Sequence, residues 1–189
     1  MKCIFTVLIT YFTLTGFAQT LLNSSMEGEP QDATMPDAWH ACEKGTTPDI
    51  LPGPWGVQQE AYDGASYVGL ITRPDGSWEA IGQQFSQPLE LKSCYRMSII
   101  AAHSDTYTGY NRNGRMRVWL GKTKCDKAQL LIDVKSLTHT DWKSYPIEFI
   151  SEDEYKYIII ESYHPPDALH SKGNILIDKI YAPIICGRV

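Results

Sequence analysis

Apolar residues in this chain come in short runs that alternate with polar ones, and clusters of Gly, Pro, Asn and Asp separate the runs. A period of two puts successive side chains on opposite faces of a strand, whereas a helix repeats near every 3.6 residues. The pattern predicts strands over Ser66–Thr72, Glu79–Phe85, Tyr95–Ala102, Arg115–Leu120, Gln129–Val134, Lys143–Ile150, Lys156–Tyr163 and Ile175–Ile185. Only Asp126–Lys135 offers a turn of helix. Many short strands between turn signals predict an all-β sandwich. On the Tyr95 strand, Tyr95, Met97, Ile99 and Ala101 share one face. On the Arg115 strand, Met116, Val118 and Leu120 face the core and leave Arg115, Arg117 and Trp119 together on the other side. Ile158–Ile160 and Ile175–Ile177 are continuous apolar runs, as expected of strands covered on both sides. The proline-rich segment Met35–Ala61 lacks periodicity and predicts a long ordered loop wrapping one edge.

The first residues bear on the compartment. Lys2 precedes the apolar stretch Ile4–Phe17, and Gly16-Phe17-Ala18 offers small residues where a signal peptidase reads. Residues 1–18 therefore read as a secretory signal peptide cleaved after Ala18, too short for a membrane span; the alternative is a first core strand. Cys3 lies ahead of the apolar stretch, not at the cleavage point, so the expected product is soluble and not a lipoprotein. Residues 19–189 would form a single domain, long enough to bury a core.

The chain carries 17 Lys and Arg against 22 Asp and Glu, a net charge of −5. That balance gives no attraction to nucleic acid or to an anionic membrane surface. Without Cys3, four cysteines remain: Cys42, Cys94, Cys125 and Cys186. An even count in an exported chain favours disulfides, and zinc is the rival, but no two of the four have C-x-x-C spacing. Spacing leaves all three pairings open.

Several phrases recur in an order that carries a resemblance. Asn23-Ser24-Ser25-Met26-Glu27-Gly28 and Pro36-Asp37-Ala38-Trp39 are followed by Asp63-Gly64 and Tyr67-Val68-Gly69-Leu70. Then come Cys94-Tyr95-Arg96-Met97-Ser98, Thr140-Asp141-Trp142 and finally Gly173-Asn174-Ile175-Leu176-Ile177-Asp178. This succession resembles the galactose-binding-domain-like jelly rolls that include many carbohydrate-binding modules, with Met26 where Phe is usual and Lys92-Ser93 where a turn glycine is common. Trp55-Gly56, Gly76-Ser77-Trp78-Glu79 and His139-Thr140-Asp141-Trp142 also resemble uncharacterised secreted proteins of Bacteroidetes-type bacteria. The resemblance implies a jelly-roll β-sandwich of two antiparallel sheets. Cys94 and Cys186 lie on strands that are commonly antiparallel neighbours in this fold, so it implies a Cys94–Cys186 bridge and leaves Cys42–Cys125. It also implies a structural calcium between Glu27 and Asp178, set against the reading of both as ordinary charged residues at strand ends.

Sugar recognition combines aromatic rings that stack on a pyranose with polar side chains that bond its hydroxyls. Two loops carry that mixture: Arg73–Glu79, with Arg73 and Trp78, and His103–Arg112, with His103, Tyr107, Tyr110 and Asn111. Tyr107 and Tyr110, beside glycine in a polar loop, are expected to be exposed. Trp39 and Trp142 read as core, and Trp55 and the face bearing Arg115, Arg117 and Trp119 offer other platforms. Sandwich cores also use aromatics heavily, so packing competes with binding for every ring.

Catalysis has little to stand on. Carboxylate pairs such as Asp75 and Glu79, or Glu152 and Asp153, arise by chance in so acidic a chain. The histidines, His40, His103, His139, His164 and His170, form no H-x-H or H-x-x-x-H pair, and no G-x-S-x-G or phosphate loop occurs. The expectation is a secreted, non-catalytic carbohydrate-binding module. The runner-up is a structural or adhesion domain that recognises a protein at the cell surface.

Overall fold

A computed structural model describes residues 19–165 and 170–187; the expected signal peptide lies outside the described residues. The chain forms strands β1 (His40–Ala41), β2 (Asp49–Leu51), β3 (Tyr67–Ile71), β4 (Ala80–Gln84), β5 (Cys94–Ala102), β6 (Arg112–Gly121), β7 (Gln129–Leu137), β8 (Lys143–Ile150), β9 (Tyr157–Ser162) and β10 (Gly173–Ile185). One sheet runs β2-β3-β10-β5-β8 and the other β1-β4-β9-β6-β7, with antiparallel neighbours throughout. A short parallel contact, Gly173 beside Arg112 and Asn174 beside Asn113, joins the two sheets at one corner. This is an all-β jelly-roll sandwich.

The alternation along the strands builds the core. Val68, Leu70, Tyr95, Met97, Ile99, Met116, Val118, Leu120, Ile158, Ile160, Ile175 and Ile177 meet between the sheets. Met26 is fully buried in the same cluster, so it fills the position where the resemblance expects Phe. The runs Ile158–Ile160 and Ile175–Ile177 are buried at every residue, because something covers each sheet from outside as well. On the β2-β3-β10-β5-β8 sheet, that cover is a second cluster in which Leu51 and Val57 pack on Tyr67, Ile71, Ala102, Tyr107 and Leu176.

The proline-rich segment does more than the sequence suggests. It contributes a short edge strand to each sheet, β1 beside β4 and β2 beside β3, and its return covers the outer face of β3. The single turn of helix that Asp126–Lys135 could offer is not formed. From Gln129 onward that stretch pairs with β6, and the helix present among the described residues is a 3-10 turn at Pro54–Gly56. Residues Gln129–Val134 alternate well enough to read as strand, and the unpaired edge of β6 gives them a partner.

Close approach requires glycine at several positions, two of them beside the corner and the β5–β6 loop. A Cβ on Gly114 would lie 2.2 Å from the Asn174 carbonyl oxygen, where β6 crosses to meet β10. A Cβ on Gly69 would lie 2.9 Å from the Tyr107 ring, which rests against β3.

Both implied disulfides are present: Cys42–Cys125 with Cα atoms 5.0 Å apart and Cys94–Cys186 with Cα atoms 5.3 Å apart. The second ties neighbouring strands, since β5 and β10 run antiparallel and the Cys186 amide donates to the Cys94 carbonyl (2.9 Å). The first fastens the proline-rich segment over Gly82 of β4, whose Cβ position lies 2.8 Å from the Cys42 sulfur. Each bridge closes a long stretch of chain in the unfolded state. Replacing either cysteine pair by serine should lower unfolding stability by about 2–5 kcal/mol in urea titrations under non-reducing conditions.

Candidate functional site

The loop joining β5 to β6 is shaped by partners distant in sequence. Asn174 is fully buried; its Oδ1 accepts from the Ser104 amide (2.9 Å), and its Nδ2 donates to the carbonyls of Ser104 and Tyr110 (2.8 Å each). Tyr107 lies against Gly69 and donates its hydroxyl to Asp49. It is therefore fully buried, which corrects the expectation of an exposed stacking ring: the polar neighbours of Tyr107 concealed a partner on β2. His103 is also corrected as a ligand-facing group. Its ring is 1% exposed, with Nε2 facing Asp105 Oδ1 at 3.1 Å.

Arg73 and Trp78 are committed elsewhere too. Glu79 is fully buried and accepts from the Ile71 amide (3.0 Å), the Thr47 amide (2.9 Å) and the Arg73 guanidinium (2.6 Å). A buried carboxylate needs that many donors, so Arg73 is tied to it rather than offered to a ligand. Asp75 bonds the amide and hydroxyl of Ser77, so the Asp75–Glu79 pair is occupied by structural partners. The half-buried Trp78 sends its indole N–H to Glu161 (3.2 Å), as does Trp119 (2.8 Å), and Lys127 bridges Glu161 to Glu43 at 2.6 Å each. Alternation did put Arg115, Arg117 and Trp119 on one outer face. There Arg117 packs over the Tyr163 ring at 3.6 Å and pairs with Asp133. Trp39 is buried as expected, while Trp142, expected in the core, is half-buried against Tyr67 and donates to the Glu60 carbonyl.

What the two predicted loops do share is a third segment, the return into β10. His164 donates to the Arg73 carbonyl (2.9 Å), its ring lies 4.9 Å from that of His170, and Gly76 abuts His170. A groove of about 410 Å³ opens there, lined by Gly109, Asn111, Arg112, His170, Ser171 and Lys172. Asn111, a candidate for bonding sugar hydroxyls from sequence, is among the residues that line it. Beside the groove, the half-buried Tyr110 ring meets Trp55 edge to face at 6.2 Å, and the Lys172 ammonium stands 5.7 Å from its centroid. Trp55 is 41% exposed and holds a left-handed backbone (φ 54°), rare for so bulky a residue. Its indole donates to Asp32 (2.9 Å), and its carbonyl accepts from the Thr108 amide (2.8 Å). Arg112 closed the candidate loop His103–Arg112, but His170 and Lys172 were not singled out from sequence as its partners, because the parallel corner that brings them together leaves no local signal.

Glu27 and Asp178 embrace one loop from opposite sides. Asp178 Oδ2 accepts from the amides of Tyr62 (2.6 Å) and Asp63 (3.3 Å), and Glu27 accepts from the Ala65 amide and the Ser66 hydroxyl. The other oxygen of Asp178 is buried without a partner. Burial pushes this carboxyl up to about 6, with further push from Asp63 and Glu27. An orphaned carboxylate oxygen is the kind of donor a hard cation takes, while Asp63 is engaged by Ser25 and Lys179. Among the described residues, tight clusters of three potential ligands occur only around the two disulfides, whose sulfurs are already bonded.

No protein-family model matches the chain, and no curated protein sequence matches it. Solved structures do. A xylan-binding domain from Paenibacillus barcinonensis is 15% identical with a TM-score of 0.55, covering 93% of this chain and 100% of that one. A cleaved adhesin domain of Lys-gingipain from Porphyromonas gingivalis is 11% identical with a TM-score of 0.58, covering 90% and 100%. A Stig cyclase from Fischerella is 13% identical with a TM-score of 0.58, covering 88% and 96%. The chain has a carbohydrate-binding-module-like β fold, and at these identities the likeness is one of fold.

Two acids behind the site are shifted in opposite directions. Burial pushes Asp49 up to about 6 against the bonds from Tyr107 and Ala33, while bonds from Asp49 and Trp55 hold Asp32 below its ordinary value. Because the folded-state value of Asp49 lies above the unfolded one, its contribution to stability is full at acid pH and is lost as pH rises through about 6. Asp49→Asn should therefore flatten the fall in stability between about pH 4 and about pH 7 in urea titrations. An unchanged slope would contradict the assignment.

Proposed function

We propose that this protein is an extracellular, non-catalytic glycan-binding module whose site lies at the corner where the sheets join. The observation that carries the reading is the pairing of Trp55 with Tyr110 beside the groove of Asn111, Arg112, His170 and Lys172. An exposed ring held rigidly at the rim of a polar groove is the arrangement that stacks on a sugar and bonds its hydroxyls. The fold shared with a xylan-binding domain supports the reading, and two disulfides suit an oxidising compartment. The structural partners of Asp75 and Glu79 support the absence of catalysis by that pair. The runner-up, recognition of a protein, is favoured by one feature. Tyr181, Ile184 and Pro146 line an apolar groove of about 550 Å³ on the outer face of β10, β5 and β8.

Titration calorimetry against a panel of oligosaccharides tests the site. Trp55→Ala and Tyr110→Ala should each weaken binding by about 1–3 kcal/mol, and Trp119→Ala should bind like the parent. The reverse pattern would move the site to the sheet face, and no binding at millimolar concentration would promote the protein-partner reading.

The calcium reading is kept as a proposal on the buried, unpartnered oxygen of Asp178. Asp178 and Glu27 would hold the ion, which would neutralise their charge and fasten residues 62–66 to β10. Added Ca²⁺ should raise the melting temperature over that in chelator, and Asp178→Ala should abolish the difference. Identical melting curves would dismiss the site.

A further inference from the structure

Resting on the glycan reading, we infer that the sugar bound at this corner is an acidic one, a pyranose carrying a carboxylate or a sulfate. The chain is acidic as a whole, yet the groove is not. Arg112, Lys172 and His170 line it, and no Asp or Glu is among its described lining residues. Past Ser171, which belongs to both, it continues into a smaller cleft lined by Thr72, Asn113, Arg115, Tyr163 and His164, again without a carboxylate among the described residues. Cations therefore gather in one place against the sign of the molecule.

The arginines sharpen the point. Arg73, Arg96 and Arg117 each pair with a carboxylate at 2.6, 2.7 and 3.1 Å. Arg112 and Arg115 have no carboxylate partner among the described residues, and both face this groove and its continuation. A guanidinium left without a carboxylate presents a fork that fits a carboxylate or sulfate with two parallel hydrogen bonds. His164 reports the same local field: burial, then the neighbouring His170 and Arg115, hold it below its ordinary value. The Arg73 carbonyl and Asp75 offset only part of that, and the Asp75 carboxylate is already bonded to Ser77.

Geometry then links charge to stacking. The Lys172 ammonium stands 5.7 Å from the centroid of Tyr110, the ring that meets Trp55. A sugar seated on the aromatic pair would have its exocyclic substituent within reach of Lys172 and Arg112. Asn111 would serve its neutral hydroxyls.

The test compares a short oligogalacturonate, a chondroitin sulfate oligosaccharide and the same oligogalacturonate after its carboxyls are reduced to neutral galactose. The whole protein is titrated by calorimetry with each. At least one acidic probe should bind about tenfold or more tightly than the reduced one, and raising NaCl from about 50 to about 500 mM should remove most of that advantage. The double variant Arg112→Gln/Lys172→Gln should lose about tenfold for the acidic probe and little for the reduced one, while Lys143→Gln, on a distant strand, should change neither. A melting curve like the parent's shows that the double variant is folded. Whichever acidic probe binds more tightly identifies the substituent. Equal affinity for acidic and reduced probes, or an unchanged double variant, overturns the charge inference and leaves glycan binding standing. Equal binding of an oligothymidylate overturns it in favour of general polyanion binding. Failure of all three sugars and of the wider neutral panel overturns the glycan reading, and this inference with it.

Discussion

The side-chain amide of Asn174 is sealed from solvent, so its hydrogen bonds must come from protein, and all of them go to the loop between β5 and β6. It sits where β10 touches β6 and the two sheets become continuous. One residue thus sets the path of the loop, the position of the Tyr110 backbone and the corner beside Arg112. The approach that makes this possible is so close that position 114 admits no side chain at all. An apolar residue in place of Asn174 would leave three backbone groups without partners in the interior, at a cost that exceeds the mean worth of a hydrogen bond. The groove inherits its shape from that requirement.

Buried acids do comparable work around the rest of the molecule. Glu79 holds Thr47 and Arg73, Asp49 holds Ala33 and Tyr107, Glu161 holds both Trp78 and Trp119, and Asp178 holds the turn at Tyr62. Asp49, Glu161 and Asp178 project from strands and Glu79 stands just ahead of β4, and most of their donors come from segments outside the strands. A jelly roll has long connections and little helix to cover its sheets, so polar anchors of this kind fasten the covers. They also leave many polar side chains of the surface loops already engaged.

Strand positions and faces were legible because period-two alternation is local: Met116, Val118 and Leu120 point inward, and Arg115, Arg117 and Trp119 outward, as the pattern requires. The disulfide pairing was legible only through the resemblance, since four cysteines by themselves allow three schemes. Strands of two and three residues, β1 and β2, were not legible, because so few positions carry no period. Tyr107 was misjudged for a related reason. Its surroundings in sequence are Thr, Gly and Ser, and the carboxylate that buries it lies 58 residues away. Arg112 and Lys172 are adjacent only through the parallel corner, which follows from topology and not from any run of residues.

The 3-10 turn at Pro54–Gly56 buries none of its residues, yet both flanks are secured, Leu51 and Val57 in the outer cluster and the Trp55 carbonyl on Thr108. The ring it displays is therefore carried on a mount that the core does not depend on. Another side chain could stand at that tip with the cluster beneath it undisturbed. In a lineage of such domains, the residue displayed at the tip of the turn could change while the sandwich under it kept its architecture.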